Sequence, residues 1–275
     1  MGIVFIVFTL NAQRVYVPKP ADLDHFLTTK TYVVLEDSPM SDFNFEIEAV
    51  MPDEWKITGY EFIKLEEFEE KSKDTNASFL YTSNVTFDRD KTESNYVFLH
   101  LSLGGDNLNL NDLRDIVSVP LGYSSANHEN YVYKLGLMLR FMQKHVNLLR
   151  EKPELISSNR FIHYNSNMPD VKSKILYIVE DELAKDVNSE ARVKQVYPHK
   201  FKIVTREEIK AAIKNRDENV VFLHKVGPEG KKLKAKCYKI LIGAGDANFY
   251  YFNSHMISLK KPDGFLITDF KKIAK

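Results

Sequence analysis

Polar and apolar positions along this chain follow two alternating rhythms. Residues 31–35 read Thr-Tyr-Val-Val-Leu, a short run without a polar face, as expected of a strand buried on both sides. Phe43, Ile47, Val50 and Met51 then fall on one face of a helix, with Asp42 as N-cap and Pro52 where the helical ladder should stop. The pattern predicts a second strand over 56–63, a short helix around Glu66–Phe68, a third strand over 78–82 and a fourth over 96–102. About a dozen residues join the last two strands, too few for a helical crossover, so the pair is expected to be an antiparallel hairpin. A further short strand is predicted near 116–119.

The same rhythm then returns. Lys30–Asp37 reappears as Lys174–Asp181 at a shift of 144, and Asp42, Asn44 and Glu46 as Asp186, Asn188 and Glu190. Pro52 answers to Pro198, Phe79 to Phe222, Tyr96 to Tyr238, Gly105-Asp106 to Gly245-Asp246 and Val117-Ser118 to Ile257-Ser258. The shift wanders by only a few residues, as loop insertions would make it. The expected fold is therefore α/β: two tandem copies of a β-α-β-α-β-β unit forming mixed sheets, 30–123 and 171–275, with a long central helix between them in 124–170.

That helix is expected from about His128 to Glu151. Tyr131, Leu135, Met138, Met142, His145 and Leu149 share one face of it, a stripe wide enough to be buried against two elements. Its preferred place is between the repeats. The sharper alternative makes it a dimerising or partner-binding helix, with Met138 and Met142 at the interface. In the second copy, Thr205 and Glu208 form a capping box at the start of a short helix.

Composition narrows the class. The 275 residues, 44% hydrophobic, suffice for two ordinary domain cores. Lys plus Arg equals Asp plus Glu at 38 each, so no long-range field favours nucleic acid or an anionic membrane. The single cysteine, Cys237, excludes an intramolecular disulfide framework and reads as a small buried hydrophobe in a strand. Gly2–Leu10 followed by Asn11-Ala12-Gln13 suggests residues 1–12 are a truncated signal peptide cleaved after Ala12, leading into an arm over 13–29. The other reading of Ile3–Leu10 is an extra buried strand. No run is long enough to span a bilayer, and export to the periplasm or envelope is expected.

Catalytic signatures are weak. The eight histidines show no HExxH or His/Cys metal spacing, so neither metal nor cofactor is expected. Gly243-Ala244-Gly245-Asp246 lacks the third glycine of a dinucleotide fingerprint, and positive φ with a local Asp-to-backbone bond explains the turn more simply. Gly122-Tyr123-Ser124-Ser125-Ala126 lacks the last glycine of a nucleophile elbow. Lys174–Leu183 resembles the opening of response-regulator receiver domains, but the third strand ends in His224-Lys225, without the aspartate those domains phosphorylate. The remaining candidates are acids near strand ends or loops: Glu36, Asp37 and Asp106, with Glu180, Asp181 and Asp246.

The segments Pro52–Ile63, Asn219–Gly230 and Gly243–Ser258 resemble uncharacterised exported proteins of the Bacteroidetes, as does the Leu10-Asn11-Ala12-Gln13 ending. The β-α-β-α-β-hairpin order is similar to the N-terminal domain of TolB-like periplasmic proteins, which implies a fold and not an activity. The expected function is a non-catalytic, exported binding or structural protein. Its contact would be a protein partner or a second copy, made through the central helix, free sheet edges or the cleft between copies. The alternative is a hydrolase or other small-molecule enzyme with an acidic site in that cleft.

Overall fold

The computed structural model describes residues 16–38, 40–87, 94–106, 113–156, 160–228 and 232–275. The segment read as a signal peptide, Met1–Ala12, lies outside the described residues, as do most of the first polar hairpin loop and Ser157-Ser158-Asn159. The chain parts into two units between residues 157 and 158.

In the first unit the order is α1 (Pro20–Phe26), β1 (Lys30–Val34), α2 (Asp42–Glu54), β2 (Tyr60–Ile63), α3 (Leu65–Lys71), β3 (Ala77–Val85), β4 (Tyr96–Leu103), β5 (Arg114–Tyr123) and α4 (Leu135–Glu151). The expected N-terminal arm thus carries a helix, α1. The strands lie side by side as β2-β1-β3-β4-β5. β1 runs parallel to both neighbours, and β3, β4 and β5 form an antiparallel meander. Ser41, not Asp42, caps α2, its hydroxyl accepting the Asn44 N–H at 3.2 Å. Pro52 does not stop that helix. It sits in the last turn, where its missing N–H costs one bond, and Trp55 N–H still closes on the Met51 carbonyl at 3.0 Å.

Helix α4 belongs to this first unit, packing on α1, α2 and β5. Met138 and Met142 have no exposed surface, so they are core residues and not the interface expected of them.

The second unit runs α5 (Arg160–Asn165), β6 (Ile175–Ile178), α6 (Glu190–Val196), β7 (Phe201–Ile203), α7 (Arg206–Lys214), β8 (Val220–Val226), β9 (Lys236–Gly243), β10 (Phe249–Met256) and α8 (Ile267–Ile273). Its sheet, β7-β6-β8-β9-β10, has the order and directions of the first. Thr205 and Glu208 close the expected capping box on α7. The letter-for-letter register does not carry over. Thr31 and Val33 are buried on β1, and the matching buried pair on β6 is Leu176 and Ile178, a shift of 145. The 144 match puts each side chain on the wrong face. Ile257, paired with Val117 by sequence, lies beyond the end of β10.

All four sheet edges are blunted. β2 and β7 are four and three residues long. β5 holds Pro120 inside the strand, and its ladder to β4 shifts register twice. On β10, the Asn165 side chain accepts the Phe252 N–H at 2.7 Å and donates to the Phe252 carbonyl at 3.1 Å, imitating a neighbouring strand. Asn167 donates to the Phe249 carbonyl at 2.9 Å. Sheet edges are therefore poor docking strips.

Candidate functional site

The first sheet carries a chain of polar side chains on the face that holds α3. Alternation on β3 sends Phe79, Tyr81 and Ser83 to that face, and the antiparallel ladder sets His100 of β4 opposite Tyr81. Phe68 of α3 packs on Tyr81 at 5.0 Å, and Tyr81 stacks on the His100 ring at 5.0 Å. His100 is 3% exposed. Its Nε2 lies 2.8 Å from Ser83 Oγ, and its Nδ1 lies 2.9 Å from Asp115 Oδ2 and 3.0 Å from Ser118 Oγ.

A carboxylate only accepts, so Nδ1 carries a proton and donates to Asp115, while Nε2 and the Ser83 hydroxyl share the hydrogen bond on the other side of the ring. Asp115 also accepts from the Ser118 hydroxyl at 2.7 Å and from Ser102. Burial works against ionising Asp115, but the His100 charge and these three donors outweigh it and hold the carboxyl below its usual range. The order serine–histidine–aspartate is that of a proton relay. Yet Ser83 is only 9% exposed, and both Asp115 oxygens are engaged by fixed side chains. That is the condition of a satisfied buried network.

The six acids singled out in the sequence do not converge within either unit. Glu36 follows β1, where it accepts from Ser41 at 2.5 Å and Thr82 at 3.2 Å. Burial pushes the Tyr131 phenol up, and the charges of Glu36 and Asp42 add to that. Asp106 follows the antiparallel β4 and so lies at the opposite end of the sheet from Glu36 and Asp37. In the second unit Asp181 takes a two-pronged contact from Arg206 at 2.8 and 3.0 Å, next to exposed Glu180. Asp246 lies at the other end, binding the Asn248 N–H at 2.9 Å and the Tyr250 hydroxyl. Each acid is occupied locally or exposed.

The glycines beside these loops answer to close approach, not to positive φ. A Cβ on Gly243 would meet Asp246 Oδ1 at 2.0 Å, and one on Gly104 would meet the Asp74 carbonyl at 2.3 Å. The positive φ in the second loop falls on Ala247, at 55°. Among the described residues no group of three or more His, Cys, Asp or Glu side chains is placed to hold a metal ion.

The second sheet buries a different cluster, on the face covered by α6 and α8. Lys239 and Asp269 pair at 2.5 Å with 0% and 1% of their side chains exposed. Tyr251, Asn253 and the Leu266 N–H also donate to Asp269. Lys225 pairs with Asp263, both nearly buried. Beside them Cys237 is fully buried in β9, and burial pushes its thiol up to about 12. These groups bind the C-terminal helix to the sheet.

Where that sheet ends, the start of β9 and the exit from β10 lie together. Met256 is opposite Lys236, the Lys234 N–H donates to the Ile257 carbonyl at 2.9 Å, and the Ile257 N–H donates to the Ala235 carbonyl at 2.8 Å. A tight turn closes the exit, with Ser258 N–H on the Lys261 carbonyl at 2.8 Å. On this frame Leu233, Met256 and Leu259 are 45%, 46% and 90% exposed, and Lys234, Lys260 and Lys261 are exposed beside them.

Reading the sequence missed both sites. Ser83, His100 and Asp115 sit on three strands, and only the ladder joins them; His100 read as an ordinary core histidine. The tip had a local signal in Lys-Lys-Leu-Lys-Ala-Lys and Leu-Lys-Lys, which the neutral total charge concealed. Compared with family models, curated proteins and solved structures, the chain finds no match in any of the three.

Proposed function

We propose that the chain is a non-catalytic, exported protein associated with the envelope, and that it binds its partner through the tip of the second sheet. The single observation carrying this reading is the exposure of Leu233, Met256 and Leu259 on a hydrogen-bonded frame between lysines. Exposed apolar side chains clustered within a polar rim are the usual mark of a contact surface. The shared strand order supports descent of the two units from one duplicated ancestor. A photo-crosslinking side chain at Leu259, in the natural host, tests the binding reading. Position 259 should yield adducts. An equally simple control at exposed Phe45, which adjoins Glu46 and no lysine, should not. No adduct from 259, or the same adducts from both, counts against the reading.

One observation favours a second reading, a hydrolase. The Ser83–His100–Asp115 order would let His100 Nε2 take the hydroxyl proton while Asp115 holds the ring's other N–H. A fluorophosphonate probe separates the two. Labelling that disappears in Ser83→Ala establishes a nucleophile, whereas the binding reading predicts an unlabelled chain.

A further inference from the structure

The lysines of the tip stand in a chain whose charges balance, so their grouping is informative. From Lys232 to Cys237 and from Ala247 to Pro262 the sequence holds five lysines and no aspartate or glutamate. The ladder brings these two stretches together, so the segregation in sequence becomes segregation in space. Asp263, which follows Pro262, is nearly buried and pairs with Lys225. Lys236 lies over the Tyr238 ring at 5.1 Å, its stem packed along the sheet. Leu259 and Lys260 form the apex of the Ser258–Lys261 turn, the most exposed apolar side chain directly beside a cation. Ala235, Cys237 and Ile257 form a small buried cluster beneath, which fixes the turn before any contact is made.

Resting on the binding reading above, we propose that this tip docks on an anionic lipid surface. Leu259, Met256 and Leu233 would enter the boundary between headgroups and acyl chains, with the lysines against the lipid charges. Apolar side chains at an apex surrounded by ammonium groups match the two layers of such a surface in order of depth. An acidic protein or a nucleic acid would use the lysines but leave an almost wholly exposed leucine without a counterpart. Among the described residues no helix is long and apolar enough to cross a membrane, and docking of this kind requires none.

The test is co-sedimentation of the full chain with phosphatidylcholine vesicles, with and without phosphatidylglycerol. Binding should require the anionic lipid and weaken as salt rises. Lys260→Gln with Lys261→Gln should lower the affinity about 30-fold, and Leu259→Ser about tenfold. These positions lie in an exposed turn, and a Cys237 thiol that stays unreactive verifies the fold of each variant. Equal binding to both vesicle types, or binding unchanged by Leu259→Ser, overturns the proposal. So does binding to a single-stranded polynucleotide in place of vesicles. A protein adduct from position 259 together with no vesicle binding removes the lipid and leaves the binding reading standing.

Discussion

Lys239 shows how a side chain ordinarily found at the surface becomes part of a core. Its ammonium is fully buried, and Asp269, Tyr251 and Asn253 form the polar group around it. Removing one partner of such a pair leaves the other charge buried and uncompensated, so Lys239→Met is expected to cost about 3–5 kcal/mol in denaturant unfolding. The buried carboxylates also set the acid limit. Asp115 and Asp269 are both held below the usual carboxylate value, against burial, by the charges and donors around them. A depressed carboxyl contributes stability above its unfolded value, about 3.9, and loses it as pH falls through the folded value. His255 is depressed too, first by burial and then by the Lys239 charge, so its share is lost as pH falls below about 6.5. Stability should thus begin to decline near pH 6.5 and drop steeply below about pH 4, as urea midpoints across pH would show. A midpoint that stays level down to pH 4 would contradict the His255 part.

Among the elements, β10 depends on a side chain to stand in for a strand. Asn165 occupies both main-chain groups of Phe252 at the sheet edge. Asn165→Ala should free that edge for pairing with a second copy, which concentration-dependent light scattering would detect as association. Much of this level was legible beforehand. The apolar runs at 31–35 and 220–224, the hairpins and the Thr205–Glu208 cap all follow from local chemistry. The cap of α2 lies one residue before the Asp42 expected and the helix runs two residues past Pro52, because a cap depends on where the backbone leaves the helix and not on residue type alone. Register was beyond reach. A buried strand such as 31–35 has no polar face, so a slip of one residue leaves no mark in its pattern.

At the scale of the molecule, the two sheets share an order and differ in what they bury: a histidine network in one, ion pairs in the other. Neither cluster was visible in the linear sequence, since hydrogen bonds between elements assemble residues about 30 positions apart, as Ser83 through His100 to Asp115 and Lys239 to Asp269 do. We propose the exposed tip, not the buried clusters, as the place of function. The most direct measurement is the partition of the chain between envelope and soluble fractions of its own host, for wild type, Leu259→Ser and Ser83→Ala. Wild type and Ser83→Ala should remain with the envelope while Leu259→Ser moves to the soluble fraction. Retention of Leu259→Ser, or release of Ser83→Ala with its Cys237 thiol still shielded, would contradict it.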